Sequence, residues 1–247
     1  MTPIETVPLW LLLAVVATMP VFALVSRHRP RDADVARRSA SALLGFWIRD
    51  WLMWVIGPAE RALVRSGVSP DVFNYLGVAF GAAAGVAFAN GALALAGWAI
   101  LLGGLADVFD GRIARARGLT SRYGAFMDST LDRFAEAFSF VGVTWYLSDS
   151  PLGAALSALA ISGSLLVSYA RARGEAVGVT GTGGIMQRAE RLVLLALGAL
   201  ADTALTTRFG WPEGRVLMAA VAVIAVGSIG TAIYRTASIA KTLSKQD

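Results

Sequence analysis

The sequence predicts an all-α integral membrane protein: a bundle of transmembrane helices with an amphipathic helix lying against one membrane face. Three observations predict it. Of the 247 residues, 56% are hydrophobic and only 16% charged, too few charges for an ordinary soluble domain. The apolar residues gather in seven stretches, roughly 7–26, 70–89, 92–112, 125–147, 152–170, 191–206 and 214–234, each about long enough to span a bilayer. Arginines then mark alternate connections, as the positive-inside rule requires of a multi-pass chain.

The first stretch is expected to be a retained anchor. It has no basic residue before it, and Glu5 stands where a signal peptide carries positive charge. Arg27, Arg29, Arg31, Arg37 and Arg38 follow it. Residues 1–37 are thus read as a transmembrane anchor and a basic cytoplasmic segment.

Residues 38–68 differ in kind. Leu43, Leu44, Trp47, Trp51, Leu52 and Val55 recur at helical spacing among Arg49, Asp50, Glu60 and Arg61. That pattern fits a helix in the cytoplasmic interface and equally a surface helix packed on the bundle. Ser69-Pro70-Asp71 then opens the next span, with serine in capping position and proline in the first turn.

Further arginines fall after the third stretch (Arg112, Arg115, Arg117, Arg122), after the fifth (Arg171, Arg173, Arg188, Arg191) and at the end (Arg235, Lys241, Lys245). The opposite connections, including one from Asp202 to Glu213, carry only Arg208 and Arg215. This asymmetry predicts a multi-pass protein of the cytoplasmic membrane with its arginine-rich loops inside and its N-terminus outside. The pI of about 10.1 does not indicate nucleic acid, because the basic residues sit at helix ends and no soluble domain is evident. There is no cysteine, and the single histidine, His28, lies in a basic segment, so thiolate and imidazole chemistry are not expected.

Four aspartates carry the chemistry. Asp107 and Asp110 are three apart near the end of one span; Asp128 and Asp132 are four apart near the start of the next. Each pair projects from one helix face, and the short connection brings the pairs together at the cytoplasmic boundary. Carboxylates at membrane depth are costly and usually functional. Four of them repel unless cations lie between, and hard oxygen donors select Mg²⁺, Mn²⁺ or Ca²⁺. Gly111, Ala114 and Gly124 leave room beside them for a bulky ligand, and Arg115 offers a fork-shaped donor for phosphate. The bland alternative is a hairpin whose acids merely pair with Arg112, Arg115 and Arg133.

These residues form the pattern D-x2-D-G-x2-A-R-x8-G-x3-D-x3-D, from Asp107 to Asp132. It resembles the signature of the CDP-alcohol phosphotransferases, with every fixed position present. The resemblance implies a six-helix transmembrane core over residues 69–238, leaving 239–247 as a cytoplasmic tail. It implies a phosphatidyltransferase that moves a substituted phosphate from a CDP-linked donor to a polar alcohol and releases CMP, working as a homodimer with Mg²⁺ or Mn²⁺, one or two ions. It further implies that Asp107, Asp110 and Asp128 hold metal, and that Asp132 completes the metal site, acts as general base, or both. Asp107, Gly111, Ala114, Arg115 and Gly124 would bind the CDP moiety. Asp71 and Asn74 match the family's Pro-Asn-x2-Thr segment only in part, since the threonine is replaced. A bilayer-embedded donor, CDP-diacylglycerol, suits a site at the membrane boundary.

For the acceptor, Ser168-Tyr169-Ala-Arg171 and Gln187-Arg188-Ala189-Glu190-Arg191 resemble the inositol-phosphate branch of the family, which comprises phosphatidylinositol-phosphate synthases and their archaeal counterparts. That likeness assigns acceptor phosphate to Arg171, Arg191 and, late in the last helix, Arg235. Arg171 stands where lysine is usual, Gln187 replaces glutamate and Ala189 replaces proline. Glycerol 3-phosphate is the alternative acceptor. Two readings of another class are a cation transporter, which should spread its acids along a path, and an inactive lipid-binding relative, which should have lost some of them. The glycines 77, 81 and 85 have the four-residue spacing of close helix contacts, inside the bundle or at a dimer interface.

Overall fold

The computed structural model describes residues 14–28, 32, 35, 45–180 and 183–246. These form α1 (Met19–Val25), a 3-10 turn at Ser26–His28, α2 (Phe46–Ser66), α3 (Pro70–Ala89), α4 (Leu93–Ala116), α5 (Arg122–Tyr146), α6 (Pro151–Ala176), α7 (Arg188–Phe209) and α8 (Arg215–Leu243). No strand occurs among the described residues. The all-α expectation holds.

Five of these helices, α3, α4, α6, α7 and α8, are long and apolar enough to cross a membrane, and the protein is a multi-pass integral membrane protein. The other two expected spans differ. The first lies partly outside the described residues, and its described part is a short apolar helix over Ala14–Val25, interrupted by a turn before Met19. The fourth is α5, whose 25 residues reach about 37 Å at 1.5 Å per residue. Its first 15 residues carry Asp128, Asp132, Arg133 and Glu136, so it matches the other spans in length but not in apolarity.

The core helices close into a ring. α3 packs on α4 and α5, α4 on α7, α7 on α8, α8 on α6, and α6 on α5. Alanines and bulky apolar side chains alternate in the shared core, among them Ala84, Phe88, Ala96, Phe140, Leu195 and Ile224. Large apolar residues such as Val86, Leu95, Trp145 and Val226 face outward, where lipid rather than water solvates them.

The glycine stripe serves the interior of the bundle. A Cβ on Gly81 would stand 2.5 Å from the Ala135 carbonyl oxygen, and one on Gly85 would stand 2.3 Å from that of Phe138. Gly142 presses reciprocally on Gly85. Backbones of α3 and α5 therefore touch, as small residues allow. Gly77, one turn earlier, meets no close atom of α5, so the two helices part there and leave a space at the arginine-rich end.

Helix α2 begins at Phe46; Leu43 and Leu44 lie outside the described residues. Ile56, with Leu52, Met53 and Leu63 beside it, packs against Phe73 of α3 and Ala106, Phe109 and Ile113 of α4. Helix α2 is thus packed on the bundle. Arg112 clamps it: Nε donates to Glu60 Oε2 at 2.6 Å, and NH1 and NH2 donate to Asp32 at 3.3 and 3.2 Å.

Ser69 caps α3 as expected, accepting from the Asp71 amide at 3.3 Å, with Pro70 in the first turn. Asp202 departs from expectation. It lies inside α7 and not in a connection, is fully buried, and accepts from the amides of Gly214, Val216 and Leu217, each at 2.9 Å. It caps α8 from a neighbouring helix. The last helix also runs through residue 238 without a break to Leu243.

Candidate active site

The site is built where α3 and α5 diverge. α4 delivers Asp107 and Asp110 from its last three turns, and α5 delivers Asp128 and Asp132 from its first three. The turn between them is short because Ser121 caps α5, accepting from the Gly124 amide at 3.0 Å. One carboxylate oxygen from each of Asp107, Asp110 and Asp128 lies within 4.8 Å of the others. Asp110 is buried, and Asp107 and Asp128 are half-buried. This is the donor set of a divalent-cation site: three hard anionic oxygens on rigid helices, too close to coexist without positive charge.

A pocket opens beside them. It is lined by Phe73, Asn74, Gly77 and Val78 of α3, by Asp107 and Asp110 of α4, and by Leu131, Asp132 and Ala135 of α5. Asn74 therefore lies with the acids, whereas Asp71 is exposed at the start of α3 and does not line the pocket. Gly111 leaves space for Arg115, since a Cβ there would sit 3.0 Å from its guanidinium. A Cβ on Gly124 would sit 3.3 Å from Ser121 Oγ. Ala114 is half-buried on the same turn of α4 and Arg115 is exposed.

Two of the three arginines in the bland alternative are engaged elsewhere. Arg112 turns to Glu60 and Asp32, and Arg133 NH1 donates to the Ser129 carbonyl of its own helix. Arg188, at the start of α7, reaches the cluster. Its NH1 is 2.9 Å from Asp107 Oδ1 and its NH2 is 2.8 Å from Asp132 Oδ1. One turn further, Arg191 forks onto Glu136 at 2.6 and 2.9 Å and also donates to the Met186 carbonyl at 3.2 Å. That pair is almost wholly buried, at 1% and 4% exposure.

Of the three arginines expected to meet the acceptor phosphate, Arg171 and Arg191 lie within electrostatic reach of Arg235, and each is in different circumstances. Arg171 is exposed and pairs with Glu175 at 2.8 Å. Arg191 is engaged by Glu136. Arg235 is buried and donates to the carbonyls of Gly183 and Val167, each at 2.9 Å, which pins the α6–α7 connection to α8.

Sequence reasoning passes over Arg188 and Glu136. Arg188 reads as one of the arginines marking the inner face and as an unassigned member of the run Gln187 to Arg191, and Glu136 lies one turn beyond the motif. The available signal was periodicity: Asp128, Asp132 and Glu136 share a face of α5, and Arg188 and Arg191 share a face of α7.

A family model described as CDP-alcohol phosphatidyltransferase matches residues 68–231. The chain belongs to this family. It is a phosphatidyltransferase, and the sequence resemblance carried by Asp107 to Asp132 is thereby established. The chain is similar to the phosphatidylinositol phosphate synthase of Streptomyces avermitilis, with 37% identity over 213 residues, covering 83% of this chain and 86% of that protein. The enzyme of the same name from Mycobacteroides abscessus is 34% identical over 197 residues, covering 77% and 86%. Among solved structures, the Mycobacterium tuberculosis phosphatidylinositol phosphate synthase with CDP-DAG bound superposes with a TM-score of 0.64 at 32% identity, covering 74% of this chain and 92% of that one. A second crystal structure of that enzyme, in complex with manganese and citrate, matches with the same TM-score and identity and covers 87% of its chain.

Proposed function

We propose that this enzyme transfers a phosphatidyl group from CDP-diacylglycerol to inositol phosphate and releases CMP, at the cytoplasmic face of the cell membrane. The observation that carries the reading is the convergence of Asp107, Asp110 and Asp128 beside the pocket that Asp132 also lines. The names and bound ligands of the similar proteins support the donor and the acceptor.

Asp107, Asp110 and Asp128 hold the cation, Mg²⁺ or Mn²⁺, as one or two ions. Its chemistry when bound is to neutralise the donor diphosphate and ease departure of CMP. Asp71, Asn74, Gly111, Ala114, Gly124 and Arg115 form the nucleotide side of the site, Asn74 within the pocket and Arg115 as a guanidinium that can turn to a phosphate. The acceptor hydroxyl oxygen attacks the phosphorus that bears the lipid. Its proton passes to Asp132, a carboxylate at the pocket wall, as general base. The bond from that phosphorus to the bridging oxygen breaks, and CMP leaves with the bridging electron pair. Arg171, Arg191 and Arg235 form the acceptor-phosphate corner.

Residues 69–238 act as the catalytic core, with 1–37 an anchor, 38–68 a helix held on α4, and 239–247 a tail. The working unit is a homodimer, testable by the mass of the detergent-solubilised protein. The reaction itself is tested by Mn²⁺- or Mg²⁺-dependent CMP release from CDP-diacylglycerol across inositol phosphate, glycerol 3-phosphate, inositol, glycerol and serine. Inositol phosphate should give the highest kcat/KM. Preference for glycerol 3-phosphate would move the acceptor assignment, and silence across the panel would remove the enzyme reading as stated.

A further inference from the structure

Arg188 stands apart from the other arginines near the site. Its two terminal nitrogens hold carboxylates from two different helices, Asp107 of α4 and Asp132 of α5. Its Nε is buried and makes no hydrogen bond, so these two contacts fix the guanidinium. A planar fork can span two carboxylates in this way; the point charge of lysine cannot do so with the same geometry.

The four aspartates are correspondingly unequal. Asp107, Asp110 and Asp128 converge within 4.8 Å. Asp132 is not in that group, and its Oδ1 is the atom that Arg188 NH2 holds. Asp107 belongs to both sets. The approach of Arg188 is itself fixed from the next turn, where Arg191 and Glu136 lock the start of α7 to α5.

We propose that Arg188 is a positioning residue for the transfer reaction: it ties Asp132 to Asp107 and so keeps the proton-accepting carboxylate at the pocket wall, beside the three metal-binding acids. The proposal rests on the reading of Asp132 as proton acceptor, and it adds a residue outside the aspartate motif to the working site. It also explains why the start of α7 must be rigid, because small displacements of a reacting group cost large factors in rate.

The test compares Arg188→Ala, Arg188→Lys, Asp132→Asn and the Arg188→Ala/Asp132→Asn double variant in the full-length protein. Mn²⁺ binding is measured directly, without substrate, by the electron paramagnetic resonance of free Mn²⁺. Turnover is measured at saturating donor and acceptor. Arg188→Ala should bind Mn²⁺ as well as the parent or more tightly, because a cation competing for Asp107 is gone. Its kcat should fall by about 100-fold. Methylguanidinium in the buffer should restore about tenfold of that loss, and Arg188→Lys should fall in between. In the Asp132→Asn background, Arg188→Ala should add little further loss, since both act through one group.

Loss of Mn²⁺ binding together with turnover in Arg188→Ala would overturn the proposal, making the arginine a prop of the metal site. So would near-parental kcat in that variant while Asp132→Asn is inactive. Near-parental turnover in Asp132→Asn is a different result: it removes the general-base assignment, whatever Arg188 does.

Discussion

The two ends of this bundle each bury aspartate, and they treat it in opposite ways. At the end away from the arginine-rich loops, Asp202 accepts three backbone amides at the start of α8. Its charge faces the positive end of a helix dipole, and both of its oxygens are used. At the other end, three oxygens from Asp107, Asp110 and Asp128 converge on one another, and Arg188 pairs with Asp107 and Asp132. The first arrangement is complete within the protein. The second is a donor set that a divalent cation would balance. Burial of an acid in a membrane protein therefore does not by itself mark chemistry; what marks it here is several acids aimed at one point.

The largest expected effect lies at the convergent end. Asp128→Asn should reduce CMP release by about four orders of magnitude, roughly 5.5 kcal/mol of transition-state stabilisation. It should leave the melting temperature of the metal-free protein unchanged or raised, because one repelling charge has gone. A fall in both would make Asp128 a structural acid like Asp202 and dissolve the contrast.

Next comes the buried Arg191–Glu136 pair. Arg191→Ala leaves Glu136 unpaired and should cost about 3–5 kcal/mol of stability, measured by denaturant unfolding in mild detergent. Arg191→Met with Glu136→Leu should recover most of that. The double variant also separates the two duties of the arginine. If Arg191 binds acceptor phosphate, the acceptor KM should stay raised far more than the donor KM after stability has returned; equal KM values would leave it a structural residue.

Asp202→Ala sharpens the other side. It should lower stability by about 2–3 kcal/mol, since three charge-assisted hydrogen bonds are lost and the amides of α8 are left without their cap. Turnover per folded molecule should match the parent, and reduced turnover in protein that remains folded would couple the two ends. The smallest effect is a ligand shift. Mn²⁺ at a hundred times its Kd should stabilise the parent by about 2.7 kcal/mol, read as a rise in melting temperature that EDTA reverses. Asp202→Ala should keep that rise and Asp110→Asn should lose it.

The site was legible in the sequence to different depths. The aspartates could be read because helical periodicity is local: residues three and four apart share a face in any α-helix, and a short turn between two helices returns the second face toward the first. The glycine stripe was legible as a close helix contact for the same reason, and the structure settles it between α3 and α5. Asp202 was misplaced in a connection because its value is not local; its partners lie 12 to 15 residues away, across a helix reversal. Arg188 and Glu136 were passed over because their meaning depends on which helices neighbour α7.

The sequence alone determined the fold class, the family signature, and the hairpin that carries Asp107, Asp110, Asp128 and Asp132, since hydropathy and helical spacing are properties of neighbouring residues. Only the tertiary structure decided how the charges divide: Arg112 to Glu60 and Asp32, Arg188 to Asp107 and Asp132, Arg191 to Glu136, and Arg235 to the carbonyls of Gly183 and Val167. An arginine reaches several ångströms in any direction from its backbone, and in the low-dielectric interior it takes the acid that packing brings nearest. That choice follows from the order of helices around the ring, which no short stretch of sequence encodes.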